Sequence, residues 1–269
     1  MVELGVGKNM VRSIKFWAEA TGLTRTDPKA GTVVTPLGKA LLGRGGFDPY
    51  LEDIRSLWIL HWNITALEEN ALFAWEFMFN RWQEPDFTRT AAMRVFKKEA
   101  EKEPKIPTDV TLDQHFSVFL HTYLPRRSRR GEVAEENLDC PMTELELLVQ
   151  VGERESDGAR REPVYAFRRD PKPTITPELF AWAVNDFFVR RHARERTVPV
   201  RALTIEVGSP GQLFKLPEED LLARVAELER ASCGLISYQE SAALPQVQRA
   251  EDVNSLQLLH HVFNPAYVS

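Results

Sequence analysis

The hydrophobic centre of this protein is encoded by residues 50–82, which read YLEDIRSLWILHWNITALEENALFAWEFMFNRW. Apolar residues recur in this stretch at helical spacing, and seven of its residues are tryptophan or phenylalanine. A surface so rich in aromatic side chains is too apolar to face water. The stretch therefore predicts the core of a mainly α-helical protein.

The residues before this centre predict a helix, a hairpin and a short helix. The helix covers Val6–Thr21, and Gly22 can end it because glycine accepts a left-handed backbone. The β-prone stretch Gly31–Val34 follows, and then Thr35 and Pro36 form an N-cap and first-turn pair that starts a helix. This order predicts a fold that is mainly α with short β hairpins, with a winged helix-turn-helix-like N-terminal part and a helical remainder.

Downstream, apolar periodicity and start signals predict further helices and two short strands. The helices are expected to begin near Asp86 and at Thr111, and to cover Thr143–Val151, Pro177–Arg191 and Glu218–Arg230; the strands are expected at Val164–Arg168 and Leu235–Tyr238. A sharp change from basic to acidic residues at positions 130–132 predicts a domain junction. We expect a winged-helix-like segment at 1–47, a helical core at 48–130 and an α+β region at 131–269.

Composition restricts the classes of function. The formal net charge of −5 excludes a general polycation, so any nucleic-acid surface must be a local patch. Cys140 and Cys233 are too far apart in sequence for a zinc motif or a disulfide framework, which favours a reducing compartment. With no secretory leader or membrane span expected, we predict a cytoplasmic protein with no membrane partner.

Positive side chains on the first helix are the first candidate site. Lys8, Arg12 and Lys15 are spaced four and three residues apart, so they share one helical face opposite the apolar stripe. Cationic side chains contact phosphates or guanine, and the amide of Asn9 can pair with an adenine edge. A solvated surface helix fits the same spacing, but the hairpin and Lys39 that follow favour DNA binding.

A second basic cluster consists of four arginines, namely Arg126, Arg127, Arg129 and Arg130. One interpretation is a clamp on DNA phosphates, which would make binding sensitive to salt. The other is a solvated loop whose charge is balanced by the acidic residues at 132–139.

Carboxylates on either side of the arginine cluster could support metal-dependent phosphodiester cleavage. Asp113, Asp139 and Glu144 are the candidate catalytic residues, with Asp113 and Glu144 as ligands of a divalent metal, Mg²⁺ being the expected ion. Plain solubility residues are the alternative interpretation. The residues Gly208–Gly211 could offer amides to a phosphate, although a structural turn explains them better because the Walker spacing is absent.

Four stretches resemble SspB-type proteins of the bacterial Ssp system for single-strand DNA phosphorothioation. They are LGVGKNMVRSIKFW at 4–17, TPLGK at 35–39, DCPMTE at 139–144 and GSPGQLFKL at 208–216. The first and last are the more specific, and the four together span nearly the whole chain. The resemblance implies a DNA nickase whose Lys8, Asn9 and Arg12 lie at the DNA surface.

The same resemblance implies partners. They are double-stranded DNA and a cysteine desulfurase, an adenylating sulfur-transfer enzyme and an ATPase, which together place sulfur in the DNA backbone. The sequence thus predicts an endonuclease-class protein that nicks one strand with a divalent metal. The alternative is a non-catalytic DNA-binding subunit or regulator that docks the sulfur-transfer machinery, and a homodimer is compatible with either.

Overall fold

A computed structural model describes residues 5, 7–66, 72–102, 108–125, 140–155, 161–240 and 244–265. Helices dominate this part of the chain. The α-helices are α1 (Lys8–Ala20), α2 (Pro36–Leu42), α3 (Ile54–Ala66), α4 (Phe73–Glu76), α5 (Arg89–Ala100), α6 (Asp109–Tyr123), α7 (Pro177–Arg191), α8 (Val200–Ile205), α9 (Pro210–Leu213), α10 (Glu218–Ala226), α11 (Leu228–Ala231) and α12 (Ser255–Phe263). A π-helical turn at Phe77–Arg81 continues α4, and a 3₁₀ helix covers Pro141–Leu145.

The strands form three small antiparallel sheets. Their bounds are β1 (Thr24–Asp27), β2 (Gly31–Val34), β3 (Asp86–Thr88), β4 (Leu148–Glu155), β5 (Arg161–Phe167), β6 (Thr197–Pro199), β7 (Ile236–Gln239) and β8 (Gln246–Arg249). The sheet orders are β1-β2, β3-β5-β4 and β6-β8-β7. The protein is therefore mainly α, with β structure confined to short pairings, as the sequence predicts.

The expected order of helix, hairpin and short helix is present at the N-terminal side. Strands β1 and β2 pair from Thr24 opposite Val34 to Asp27 opposite Gly31. The side chain of Thr35 caps α2 by accepting a hydrogen bond from the Gly38 amide at 3.0 Å. Within the described residues α1 is the helix that precedes the hairpin, so a helix-turn-helix pair is not confirmed there.

The core forms around α3, as residues 50–82 predict. Ser56–Ala66 are all buried, because other elements cover α3 on every side. Its buried histidine is satisfied internally. Nδ1 of His61 lies 2.8 Å from the hydroxyl of Tyr123, and Nε2 of His61 lies 2.9 Å from the carbonyl oxygen of Leu213. The carbonyl can only accept, so Nε2 donates and Nδ1 accepts from the tyrosine.

Two sequence-based expectations about secondary structure are wrong in part. Asp86 begins strand β3 rather than a helix, and α5 starts only after Thr88, whose side chain accepts from Ala91 N at 3.2 Å. The expected helix Thr143–Val151 is replaced by the end of the 3₁₀ helix and the start of β4. A left-handed backbone at Glu146, with φ of 47°, ends the helical turn, and pairing with β5 then holds the chain extended.

None of the helices in the described part of the chain is both long and apolar enough to cross a membrane. Cys140 and Cys233 are not joined by a disulfide.

Candidate functional site

The C-terminal end of α1 is fixed to the core. The Trp17 ring packs edge-on against Trp75, with 5.8 Å between the ring centroids. The side-chain amide of Asn63, buried in α3, donates to the Thr21 carbonyl at 2.9 Å. These contacts hold the last turns of α1 in a defined direction relative to the core.

The positive residues predicted for α1 are all exposed. Lys8, Arg12 and Lys15 fall within about 60° of one another around the helix axis, so they form one stripe. Lys15 lies 3.9 Å from Glu19, one turn further along the helix. Asn9 is exposed beside the stripe.

Lys39 is also exposed, in the last turn of α2. We call the set of Lys8, Asn9, Arg12, Lys15 and Lys39 the cationic surface. All five side chains of the cationic surface are accessible to a ligand.

The apolar side of α1 is covered only at one end. Trp17 and Thr21 contact the core, whereas Met10 and Ile14 are 56% and 51% exposed. The first half of α1 therefore projects from the body of the protein. The predicted apolar stripe exists, but its N-terminal part does not pack within the described residues.

Asp113 lies in a shallow cleft of about 370 Å³ between α5 and α6. The cleft is lined by Arg89, Thr90, Met93, Arg94, Lys97 and Asp113. Nη2 of Arg89 donates to Oδ1 of Asp113 and to Oγ of Ser117, both at 2.7 Å. Three cationic side chains thus surround the one carboxylate among the lining residues.

Glu144, the other metal-ligand candidate, is exposed on the 3₁₀ helix. In the described ranges, no group of three histidine, cysteine, aspartate or glutamate side chains is placed to hold a metal ion. Asp139 and the four arginines Arg126, Arg127, Arg129 and Arg130 lie outside the described residues.

The segment GSPGQLFKL at 208–216 is internal, which favours its interpretation as structural. The Gly208 amide donates to Oδ1 of Asn80 at 2.7 Å, and the Leu213 carbonyl accepts from His61. Nζ of Lys215, which has no exposed surface, donates to the Phe79 carbonyl at 2.6 Å. The segment is therefore hydrogen-bonded to α3 and to the π-helical turn.

Burial shifts the titration of two side chains in this internal network. It lowers the pKa of Lys215 well below its usual value, and the nearby charge of Arg169 adds to the effect. Burial also lowers the pKa of His61 to about 4. Sequence reasoning missed both residues, and the signal that could have found Lys215 is a single lysine inside the apolar run LFKL.

A known protein family matches nearly the whole chain. The model of a family described as a protein of unknown function, DUF4007, matches residues 1–267. No curated protein sequence matches the chain.

Two solved structures resemble the protein along its full length. A magnesium-ion-bound crystal structure of SspB is 26% identical with a TM-score of 0.83, and the match covers 100% of this chain and 79% of that one. A second SspB crystal structure gives a TM-score of 0.81 at 26% identity with the same coverage. The chain therefore belongs to the DUF4007 family and is an SspB-type protein.

Proposed function

We propose that this protein binds double-stranded DNA in the Ssp phosphorothioation system and nicks one strand. The proposal rests on one observation, the similarity to SspB over the whole chain. A protein of such a system acts where the DNA is, in the cytoplasm. Its partners in this proposal are a cysteine desulfurase, an adenylating sulfur-transfer enzyme and an ATPase.

The cationic surface is the proposed duplex contact. Lys8, Arg12 and Lys15 project together from a helix whose other end is fixed, which suits a recognition helix entering a groove. The hairpin β1–β2 follows as a wing would, and Lys39 extends the positive charge onto α2. The arginines at 126–130 are proposed as a further phosphate clamp.

Asp113 is the carboxylate that we propose for metal-assisted cleavage, with Glu144 and Asp139 as further candidates. Mg²⁺ is usually held by one or two carboxylates, with water and substrate phosphates completing its shell. Asp113 supplies one such carboxylate, and its cationic neighbours attract the DNA phosphates that would supply the further oxygen ligands. Bound there, Mg²⁺ would neutralise charge on the phosphate and activate water.

A plasmid-nicking assay tests the proposal. Supercoiled plasmid incubated with the protein and Mg²⁺ is expected to become open-circular, and a chelator is expected to abolish the conversion. Asp113→Asn is expected to lower the rate about a hundredfold or more, because the amide would hold Mg²⁺ less well and the loss of one electrostatic contact to the transition state costs on this scale. Asp252→Asn is the matched control, because Asp252 is an exposed carboxylate in the turn after β8.

One contact of Asp113 favours the non-catalytic alternative. Asp113 already has a partner in Arg89, and such a pair can be purely structural. If the plasmid stays supercoiled with every divalent metal while a gel shift still forms, the protein is a DNA-binding subunit or regulator. If neither effect occurs, both forms of the proposal are wrong.

A further inference from the structure

The cleft between α5 and α6 has the chemistry of an anion site. Its walls carry Arg89, Arg94 and Lys97, against the single carboxylate of Asp113. Arg89 and Lys97 are eight residues apart, which is roughly 12 Å along a helix. A row of cations over this length suits a chain of anions better than one small ion, because a nucleic-acid strand carries one charged phosphate per nucleotide along its length.

The acidic neighbours of this row are held weakly. Nζ of Lys97 lies 2.7 Å from Oδ2 of Asp109, but the two side chains are 42% and 75% exposed. Exposed pairs of this kind contribute little, since water screens both charges. A phosphate can therefore replace Asp109 as the partner of Lys97 at small cost.

The first turn of α5 does not supply the anion contact. The Thr90 amide and hydroxyl already donate to Glu162, at 3.2 and 2.5 Å. The Thr90 donors are consequently already used, and the contacts proposed for an anion come from the cationic side chains. Arg89 is preorganised for this, because its guanidinium carbon lies 5.7 Å from the centre of the Phe116 ring and Ser117 holds one of its nitrogens.

We propose that the α5–α6 cleft binds the phosphodiester backbone of a single DNA strand through Arg94 and Lys97, with Arg89 as the preorganised third cation. This inference rests on the proposed function and deepens it. Duplex contact belongs to the cationic surface, and the cleft holds the strand that is to be cut beside Asp113.

The test measures single-strand binding without cleavage. A fluorescent single-stranded oligonucleotide is titrated with the protein in a chelator, and anisotropy gives the affinity at several salt concentrations. Arg94→Gln with Lys97→Gln is expected to weaken binding about tenfold at about 0.15 M salt and to lower the salt slope by about 1.4, as two lost phosphate contacts predict. Arg194→Gln with Arg201→Gln is the control, since both arginines are exposed and lie on the turn after α7 and on α8, outside α5 and α6, so this pair removes the same charge away from the cleft.

Competition identifies the ligand. An unlabelled strand is expected to displace the probe, whereas inorganic phosphate and a mononucleotide at equal phosphate concentration are not. Equal competition by inorganic phosphate would mean a site for a free anion and would overturn the proposal. Equal losses in the cleft pair and in the control pair would also overturn it.

The same variants distinguish a failure of the cleft proposal from a failure of the proposed function. Retained binding of a duplex by the cleft variant, together with lost single-strand binding, supports the cleft. Unchanged single-strand binding overturns the cleft alone, provided that duplex binding still depends on α1. A wild-type protein that binds neither form of DNA removes the proposed function and the cleft with it.

Discussion

Removing two charges from the cationic surface tests the role of α1 most directly. Lys8→Gln and Arg12→Gln are the substitutions of choice. Among the described residues no ion pair engages either side chain, whereas Lys15 already faces Glu19. Helix α1 contains no buried residue, so the double variant is expected to keep the fold and the thermal midpoint of the wild type.

The size of the effect follows from counterion release. Each phosphate contact on duplex DNA contributes about 0.9 to the slope of log affinity against log salt, so two contacts contribute about 1.8. The contribution of these contacts to affinity vanishes near about 1 M salt, so at about 0.15 M salt the double variant is expected to bind duplex DNA about thirtyfold more weakly than the wild type. The corresponding free energy of binding is about 2 kcal/mol.

Anisotropy of a labelled duplex, measured at several salt concentrations, gives both the affinity and the slope. Arg194→Gln with Arg201→Gln serves as the control, because both arginines are exposed and lie on the turn after α7 and on α8. An unchanged slope in the Lys8 and Arg12 variant would refute the assignment of α1. An equal change in the control pair would show that net charge matters rather than its position.

Two further predictions concern the fold that holds these surfaces. The pKa of His61 is lowered from 6.5 to about 4, so the unfolded chain binds more protons between these values and stability falls as the pH drops through that window. Urea denaturation is expected to show a free energy of unfolding about 2 kcal/mol lower at about pH 5 than at about pH 7.5 because of His61. The same pH dependence in His61→Gln would show that His61 is not its cause. A Cβ at Gly38 would lie 2.1 Å from the Leu23 carbonyl oxygen, so Gly38→Ala is expected to lower the free energy of unfolding by about 2 kcal/mol. Gly152→Ala is the control, because a Cβ there meets open space. Equal midpoints of thermal unfolding in the two variants would disprove the close approach at Gly38.

Helices α7 and α2 were predictable because residues at their N-termini mark where they begin. Helix α7 covers Pro177–Arg191, as predicted, because Thr176 caps it by accepting from Leu179 N at 3.2 Å and proline occupies its first turn. Helix α2 is predictable for the same reason, through Thr35 and Pro36. Such signals act over a few residues and can be recognised without the rest of the fold.

Strands and clefts depend on partners that are distant in the sequence. The start of strand β4, up to Val151, was predicted as the end of a helix because only its pairing with β5, such as Leu148 opposite Phe167, makes it extended. Asp113 could be selected as a candidate, but its contact with Arg89, 24 residues earlier, could not. The cationic stripe of α1 was predictable because one helix contains it entirely.

The projection of α1 has a consequence for recognition. An isolated helix of its length is marginal in water, since few residues share the cost of the first turn. Only the end that carries Trp17 and Thr21 gains support from the core, so the half that carries Lys8 and Arg12 depends on its own propensity. In the proposed DNA complex, phosphate contacts at Lys8 and Arg12 would therefore also stabilise the helical turns that carry them, so part of the free energy of binding would go into holding this half of α1 helical.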